Sequence, residues 1–386
     1  MIIAVAIIEV ARMLGIFLVI PVFTSYGELY SNSSILIGIA LGAYGLTMAV
    51  FQAPFGILSD RFGRKNVILL GMIPYIIGNF IAWHPFNIYG LILGRLMAGA
   101  GAVTSSGMAM VQESVAPERR NMAMAMLGIP IGLSFMVGII LGPYISALFG
   151  IDSLFLISSF LGVFSVVPLM FVHYEGKAYT PGEKKKAGKI GAKSIFFGII
   201  GFMVSLSMIS LFFYLPVYGQ YAFGSNGYES LLLWPVLIGG VIAVASSGLA
   251  DMGHSNLFSI ISLLLIIISI PILFIQPLFT GNSMWFFAGL VVFFTGYSLY
   301  EIIFTPMVSK LSRKDSYGAN IGTYNTMQFM GQFGGGVVAG FIIPLSPGRE
   351  SMVTATLVIL LLLLITLPFL YFATGFHEIR KENQNI

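Results

Sequence analysis

Long apolar segments almost free of charge follow one another along the whole chain and determine what it can fold into. A helix needs about 20 apolar residues to cross the hydrocarbon core of a bilayer. The sequence therefore predicts an all-α polytopic membrane protein with twelve transmembrane helices. We place spans 1 to 12 at roughly residues 2–24, 35–58, 66–84, 87–112, 121–148, 153–173, 194–218, 229–250, 256–276, 284–308, 317–344 and 352–375.

Composition and missing motifs exclude several classes of protein. Only 9% of the 386 residues are charged, whereas soluble domains carry about 25%. This excludes a soluble enzyme and a disordered chain, and the absence of cysteine excludes a disulfide scaffold and thiol catalysis. The chain has no G-x-x-x-x-G-K-[ST] segment for ATP, and its four histidines lack metal-ligand spacing. We expect no enzymatic activity, no cofactor, no metal and no nucleic-acid partner.

The basic residues indicate how the spans are oriented. With the N-terminus inside, 16 of the 19 Lys and Arg residues fall in inner loops or the C-terminal tail. This bias predicts that both termini are cytoplasmic and that the protein is a multi-pass component of the cell (inner or plasma) membrane. It also explains the basic stretch at 174–193 as a topology determinant near anionic lipid.

The same stretch divides the chain into two sets of six spans. We predict an N-terminal half at 1–173, a cytoplasmic linker at 174–193 and a C-terminal half at 194–386. Span 2 ends in a segment containing Asp60, and span 8 ends in a weaker echo containing Asp251, 191 residues later. Two such halves are typical of a secondary transporter, whose binding site lies between them near the bilayer midplane.

Three segments carry a resemblance to a known family. Residues 56–65 match the G-x-L-(A/S)-D-R-x-G-R-K signature of the major facilitator superfamily at every specified position, and residues 93–101 resemble its span 4 arginine motif. Residues 138–143 resemble the G-x-x-x-G-P motif of its drug:proton antiporter branch, although Ile145 and Ser146 stand where that motif continues with glycines. Spans 1 and 2 are similar to YajR-type bacterial exporters. The resemblance implies two pseudo-symmetric six-helix halves.

For residues 60–65 the resemblance implies a gate latch on the cytoplasmic side. Asp60 would face the positive N-terminal end of span 11, and Arg64 would pair with Glu113 at the inner end of span 4. The alternative is a topology signal with surface ion pairs worth about 0–1 kcal/mol each. Gly63 would allow the chain to reverse. The predicted latch residues are Asp60, Arg61, Arg64, Lys65 and Glu113.

Glycines in the spans favour close helix packing. Gly138 with Gly142, and Gly331 with Gly335, form small-x-x-x-small pairs. Pro143 removes a backbone donor, so we expect a bend in span 5. The resemblance implies that the antiporter-motif residues Gly138, Gly142 and Pro143 suppress leak.

Away from the span ends, four charged residues fall within the hydrocarbon, where each costs about 2.5–3.5 kcal/mol or more unless it faces a cavity or a partner. Glu9 and Arg12 are three residues apart on one helix face and could neutralise each other. Arg95 matches the family arginine, which the resemblance implicates in the proton path. Glu301 has no charged neighbour at helical spacing and is most cheaply kept protonated. We place the coupling proton at Glu301, with Glu9 as the alternative and with Arg12 or Arg95 displacing it.

Other polar residues in the spans are, as a set, candidates for a mainly apolar substrate cavity, although interhelical hydrogen bonding is the simpler explanation of each one taken alone. They are Tyr44, Gln52, Tyr297, Tyr300, Asn325, Gln328 and Gln332.

Together these features predict a monomeric, proton-coupled exporter of small amphiphilic or drug-like molecules that works by alternating access in the lipid bilayer. One alternative is proton-coupled uptake of a small nutrient such as a sugar or organic acid. A non-transporting membrane receptor or scaffold is the third possibility.

Overall fold

The computed structural model describes residues 1–116, 119–174, 191–223, 232–249, 254–275, 284–311, 317–345 and 349–374. Within these ranges the regular structure is helical, without strands. In order of spans 1 to 12, the helices are Ile2–Val19 with Ile20–Val22 and Phe23–Glu28, Ser34–Phe62, Arg64–Trp83, Ile88–Ala100 with Thr104–Glu113, Arg120–Phe149, Ser153–Phe171, Ala192–Phe223, Leu233–Leu249, Ser255–Phe274, Met284–Leu311, Tyr317–Ile342, and Arg349–Leu364 with Thr366–Thr374.

Each predicted span coincides with described helix. Ten of the helical segments in the described ranges are long and apolar enough to cross a bilayer. Span 8 has a shorter apolar stretch, Leu233–Ser246, and span 11 is diluted by glycine and polar residues.

Spans 1, 4 and 12 are interrupted, although each was predicted as one continuous helix. A 3-10 turn containing Pro21 breaks span 1. In span 12, Pro368 has no N–H to donate to the Leu364 carbonyl, and the first of the two helices of this span ends at Leu364. In span 4 the break follows Ala100, and a Cβ added at Gly101 would lie 2.7 Å from the Gly71 carbonyl oxygen of span 3. Proline and close backbone packing thus explain the three breaks.

Two glycines make the tightest connections. Gly63 alone separates spans 2 and 3, with φ of 89°, and Gly150 follows span 5 with φ of 86°. Residues with a Cβ rarely adopt this backbone region. The predicted reversal at Gly63 is confirmed.

The chain forms two compact units: Met1–Lys185 with Phe212–Pro216, and Lys186–Leu211 with Val217–Ile386. In the first unit span 1 packs against spans 5 and 6, and span 3 packs against spans 4 and 6. In the second unit span 10 packs against spans 8 and 9. The predicted half boundaries stay a prediction, and Asp251, most of the basic linker and the C-terminal tail lie outside the described residues.

Glycine pairs bring helices together within each unit. A Cβ added at Gly138 would lie 2.6 Å from Phe17 Cβ of span 1, and one at Gly142 would meet the Leu18 carbonyl oxygen. In the second unit, Cβ atoms at Gly331 and Gly335 would meet the carbonyl oxygens of residues 202 and 206 in span 7. These contacts place span 5 on span 1 and span 11 on span 7.

Candidate functional site

Three polar side chains from spans 1 and 4 form a closed hydrogen-bonded triangle in the first unit. Arg12 Nη1 donates to Glu9 Oε2 at 3.0 Å and to Thr104 Oγ1 at 2.8 Å. Thr104 Oγ1 donates to the same Glu9 oxygen at 3.0 Å. All three residues are buried. Glu9 and Arg12 therefore neutralise each other, as their spacing allows, whereas Thr104 was not identified from the sequence.

Both charged members of this triangle retain an unpaired atom. Arg12 Nη2 contacts Met48 Sδ at 3.0 Å, but Arg12 Nε and Glu9 Oε1 have no hydrogen-bond partner among the described residues. A Cβ added at Gly107 of span 4 would lie 3.4 Å from Glu9 Oε1. This oxygen therefore lies against span 4 as an acceptor without a donor among the described residues.

Arg95 of span 4 lies against two aromatic rings. Its Cζ is 5.3 Å from the centroid of Phe23 and 5.0 Å from that of Tyr44, and 2% of the residue is exposed. Arg95 Nε has no hydrogen-bond partner in the part of the chain that the structure describes. Among the described residues, cation–π attraction from the two rings therefore stabilises the buried guanidinium.

Two tyrosines and a glutamine connect spans 10 and 11 in the second unit. The hydroxyls of Tyr300 and Tyr324 lie 2.7 Å apart, and Gln328 Nε2 donates to them at 3.2 and 3.3 Å respectively. Tyr300 and Tyr324 are fully buried. Tyr300 and Gln328 were predicted from the sequence, whereas Tyr324 was not, because its aromatic side chain does not distinguish it from core residues.

Glu301 follows Tyr300 in span 10 and is partly buried. Tyr297, one helical turn earlier, hydrogen-bonds to its carboxylate. Glu301 thus has no charged neighbour at helical spacing, but the prediction that it has no partner there is wrong, because Tyr297 is an uncharged one. None of the ion pairs among the described residues includes Glu301. Its carboxyl group is therefore held by a neutral donor.

The other cavity candidates take part in fewer side-chain contacts among the described residues. Gln52 is buried with Oε1 unpartnered among the described residues, and its backbone carbonyl accepts from Ser105 Oγ at 3.0 Å. Asn325 and Gln332 are partly exposed on span 11. Their role in a cavity stays a prediction.

Arg64 is the centre of a charge cluster at the predicted cytoplasmic ends of spans 2 to 4. Its Nη2 donates to Glu113 Oε1 at 2.9 Å and also pairs with Asp60 Oδ1, while Nε lies 3.4 Å from Glu113 Oε2. Nη1 donates to the Gly56 carbonyl at 3.3 Å and to Ser59 Oγ. A buried guanidinium thus holds three segments of the chain.

The end of span 6 joins this charge cluster. The Tyr174 hydroxyl donates to Glu113 Oε2 at 2.7 Å, and Lys65 Nζ donates to the carbonyls of Met170 and Val172 at 2.9 and 2.8 Å. Burial raises the pKa of Tyr174, and the hydrogen bond to Glu113 raises it further. Tyr174 therefore stays a neutral donor at physiological pH.

Not every residue of the predicted latch belongs to the cluster. Arg61 is exposed, with its Cζ 5.4 Å from the centroid of Phe62. The predicted approach of Asp60 to the start of span 11 stays a prediction, as does the latch role of the whole set.

The antiporter-motif residues are placed by the packing of span 5. Gly138 and Gly142 face span 1, and the helix continues through Pro143, whose carbonyl accepts from Ser146 Oγ at 2.8 Å. Suppression of leak by this motif stays a prediction.

Comparison with known families decides the identity of the fold. The sequence pattern of the Major Facilitator Superfamily matches residues 5–336. The chain belongs to this superfamily. It is an all-α multi-pass membrane protein of the major facilitator fold, with twelve transmembrane helices in two pseudo-symmetric six-helix halves, and the predicted resemblance and fold class are confirmed.

Individual relatives agree with this assignment. The inner membrane transport protein YajR of Escherichia coli is 31% identical over 352 residues, which cover 88% of this chain and 76% of that protein. The multi-drug resistance efflux pump PmrA of Streptococcus pneumoniae is 31% identical over 163 residues, covering 41% of this chain and 39% of that one. The crystal structure of a POT family transporter in complex with 5-aminolevulinic acid has a TM-score of 0.75 at 15% identity, covering 97% and 96% of the two chains. This protein is thus similar to transporters throughout.

Proposed function

We propose that this superfamily member exports small amphiphilic compounds in exchange for protons, by alternating access. The observation that carries the coupling is Glu301, a carboxyl group inside span 10 with a tyrosine as its hydrogen-bond partner. An ionised carboxylate is costly within a membrane span unless a cation or water compensates it. Tyr297 is a neutral donor and supplies no such charge. Protonation of Glu301 therefore lowers the free energy of the span in the membrane, and loss of the proton raises it.

The proposed cycle uses this difference. When the cavity opens to the outside, Glu301 takes up a proton from water. When the cavity opens to the cytoplasm, hydration of the carboxyl group favours release of the proton. Glu9 is the alternative carrier, because its Oε1 is buried and unpartnered among the described residues.

The charge cluster around Arg64 supports a gate at the cytoplasmic side. Arg64 holds the ends of spans 2, 3 and 4 through Asp60 and Glu113, so these ends must move together or break an ion pair. We assign this cluster the role of a latch that favours the outward-open state. Similarity of 41% of this chain to a multi-drug efflux pump supports export as the direction.

Reconstituted full-length protein tests the coupling. Proteoliposomes are given a pH gradient and a panel of three fluorescent amphiphiles, anilinonaphthalene sulfonate, phenylnaphthylamine and ethidium. The gradient should drive accumulation of at least one probe by wild type and by the control Glu350→Gln, which alters an exposed carboxyl group in the first turn of span 12. Glu301→Gln should permit only downhill movement.

Two results would contradict the proposal. Transport by wild type that ignores the pH gradient would refute proton coupling. A second contradicting result combines two measurements: the proton gradient drives a probe in the direction of uptake, and cells that produce the protein gain no resistance to any panel compound. That result would favour a nutrient importer instead.

A further inference from the structure

Three arginines are buried in the part of the chain that the structure describes, and one of them lacks an anionic partner. Arg12 pairs with Glu9, and Arg64 pairs with Asp60 and Glu113. Arg95 has neither an ion pair nor a hydrogen bond to any described residue. Because Glu9 already neutralises Arg12, the buried groups of spans 1 and 4 carry one uncompensated positive charge.

A buried cation without a counter-charge is unfavourable, because desolvation is not offset by a partner. The rings of Phe23 and Tyr44 offset part of this cost through cation–π attraction. They also fix the guanidinium in position without using its donor at Nε. The planar edge of a fixed guanidinium matches the two oxygens of a carboxylate, which it binds through parallel hydrogen bonds.

We propose that Arg95 anchors the carboxylate of a monoanionic amphiphilic substrate, whose apolar body packs against Phe23 and Tyr44. This inference rests on the proposed export function and specifies its substrate class. A neutral amphiphile would leave the arginine uncompensated, and a cationic one would be repelled by it. Arg12 cannot serve equally well, because Glu9, Thr104 and Met48 already occupy its terminal nitrogens.

Three probes of nearly equal shape test the charge preference. Naphthoate, naphthamide and naphthylmethylammonium share one aromatic body and differ in the charged group. Each is titrated into the full-length protein in a neutral detergent, with calorimetry and thermal stabilisation as readouts. Naphthoate should bind about tenfold or more tightly than the other two, since a hydrogen bond to a charged group is lost with each. Equal binding of the three probes, or no binding of naphthoate, would overturn the proposal.

Variants of Arg95 test the assignment to this residue. Arg95→Gln should abolish the preference for naphthoate, and Arg95→Lys should retain part of it, because the charge remains but the paired donors do not. Arg119→Gln removes an exposed arginine at the start of span 5 and should bind like wild type. If Arg95→Gln does not fold, full naphthoate affinity in Arg95→Lys contradicts the paired-donor geometry, and partial affinity supports it.

The two proposals fail in different ways. Naphthoate binding that depends on Arg95, without any effect of a pH gradient on transport, would leave the anion site intact and refute proton coupling. Gradient-driven transport of amphiphiles by Arg95→Gln at the wild-type rate and selectivity would refute the anion site alone.

Discussion

The hydroxyl of Tyr174 donates a 2.7 Å hydrogen bond to Glu113 Oε2, which joins the first residues after span 6 to the end of span 4. Glu113 is also the carboxylate that receives Arg64. Since Lys65 donates to the carbonyls of Met170 and Val172, the end of span 6 and Tyr174 are both attached to the charge cluster. A displacement of the cluster would therefore strain the chain as far as Tyr174.

Replacing Tyr174 should loosen this attachment. We expect Tyr174→Phe to lower the free energy of unfolding by about 1 kcal/mol, the usual value of one partly exposed hydrogen bond. Tyr144→Phe is the matched control, because Tyr144 is 65% exposed. Thermal unfolding of the purified proteins measures the difference, and an equal effect of both variants would contradict it.

The effect of Tyr174→Phe also has a defined pH dependence. The folded state raises the pKa of Tyr174, so its contribution is complete below the ordinary tyrosine pKa of about 10 and is lost as pH rises above it. The difference from wild type should be the same at about pH 6 and pH 9 and should shrink at higher pH. A difference in unfolding free energy between wild type and Tyr174→Phe that grows at alkaline pH would contradict a raised pKa of Tyr174.

Arg64→Ala should destabilise the protein more than Asp60→Asn. Arg64 is 8% exposed and serves both Asp60 and Glu113, whereas the Asp60 side chain is 45% exposed. We expect a loss of about 2 kcal/mol for Arg64→Ala and under about 1 kcal/mol for Asp60→Asn. Both should shift spin-label distances between the inner loops toward the inward-open state. Unchanged distances in both variants would exclude the latch.

Thr104→Val should disturb the Glu9–Arg12 pair while preserving side-chain shape. The hydroxyl of Thr104 both accepts from Arg12 and donates to Glu9, so its removal leaves two buried charged groups less satisfied. We expect a loss of about 2 kcal/mol and recovery in Thr104→Ser, which restores the hydroxyl. Thermal unfolding midpoints provide the measurement, and equal midpoints for the valine and serine variants would argue against the triangle.

Gly142→Ala should be destabilising although alanine is the better helix former. A Cβ at this position meets the backbone of Leu18, which cannot move aside as a flexible side chain could. Gly132→Ala in the same helix has no atom within 4 Å of its new Cβ. It should therefore be neutral or more stable, by up to about 1 kcal/mol. Comparison of the two melting temperatures decides the point, and a stabilised Gly142→Ala would refute the close contact.

Glu301→Gln and Glu9→Gln should separate the two candidate proton carriers. Glutamine keeps the shape of a protonated glutamate, so we expect Glu301→Gln to bind substrate with less dependence on pH and to lose gradient-driven accumulation. Glu9→Gln should keep the gradient response. Full gradient-driven transport by Glu301→Gln, together with its loss in Glu9→Gln, would assign the proton to Glu9.

Hydropathy and local spacing predicted those parts of the structure that depend on nearby residues in the chain. The spans follow from apolar length, the reversal at Gly63 from its missing Cβ, and the Glu9–Arg12 pair from helical spacing. Tyr297 could have been recognised as the partner of Glu301 by the same helical spacing, had uncharged donors been considered.

The rest of the candidate site depends on which helices become neighbours. Thr104 lies 92 residues from Arg12, and Tyr174 lies 61 residues from Glu113, so no local pattern marks either contact. Both side chains are of ordinary types for their positions. The sequence therefore identified charged members of these clusters, while the neutral residues that complete them required the three-dimensional fold.

The single residue Gly63 between Phe62 and Arg64 also constrains which changes of length this part of the chain accepts. With a φ of 89°, it makes the whole connection between spans 2 and 3. A residue inserted here would turn the start of span 3 relative to span 2 and carry Arg64 away from Asp60 and Glu113. Insertions and deletions are therefore excluded at this turn, although surface connections generally accept them.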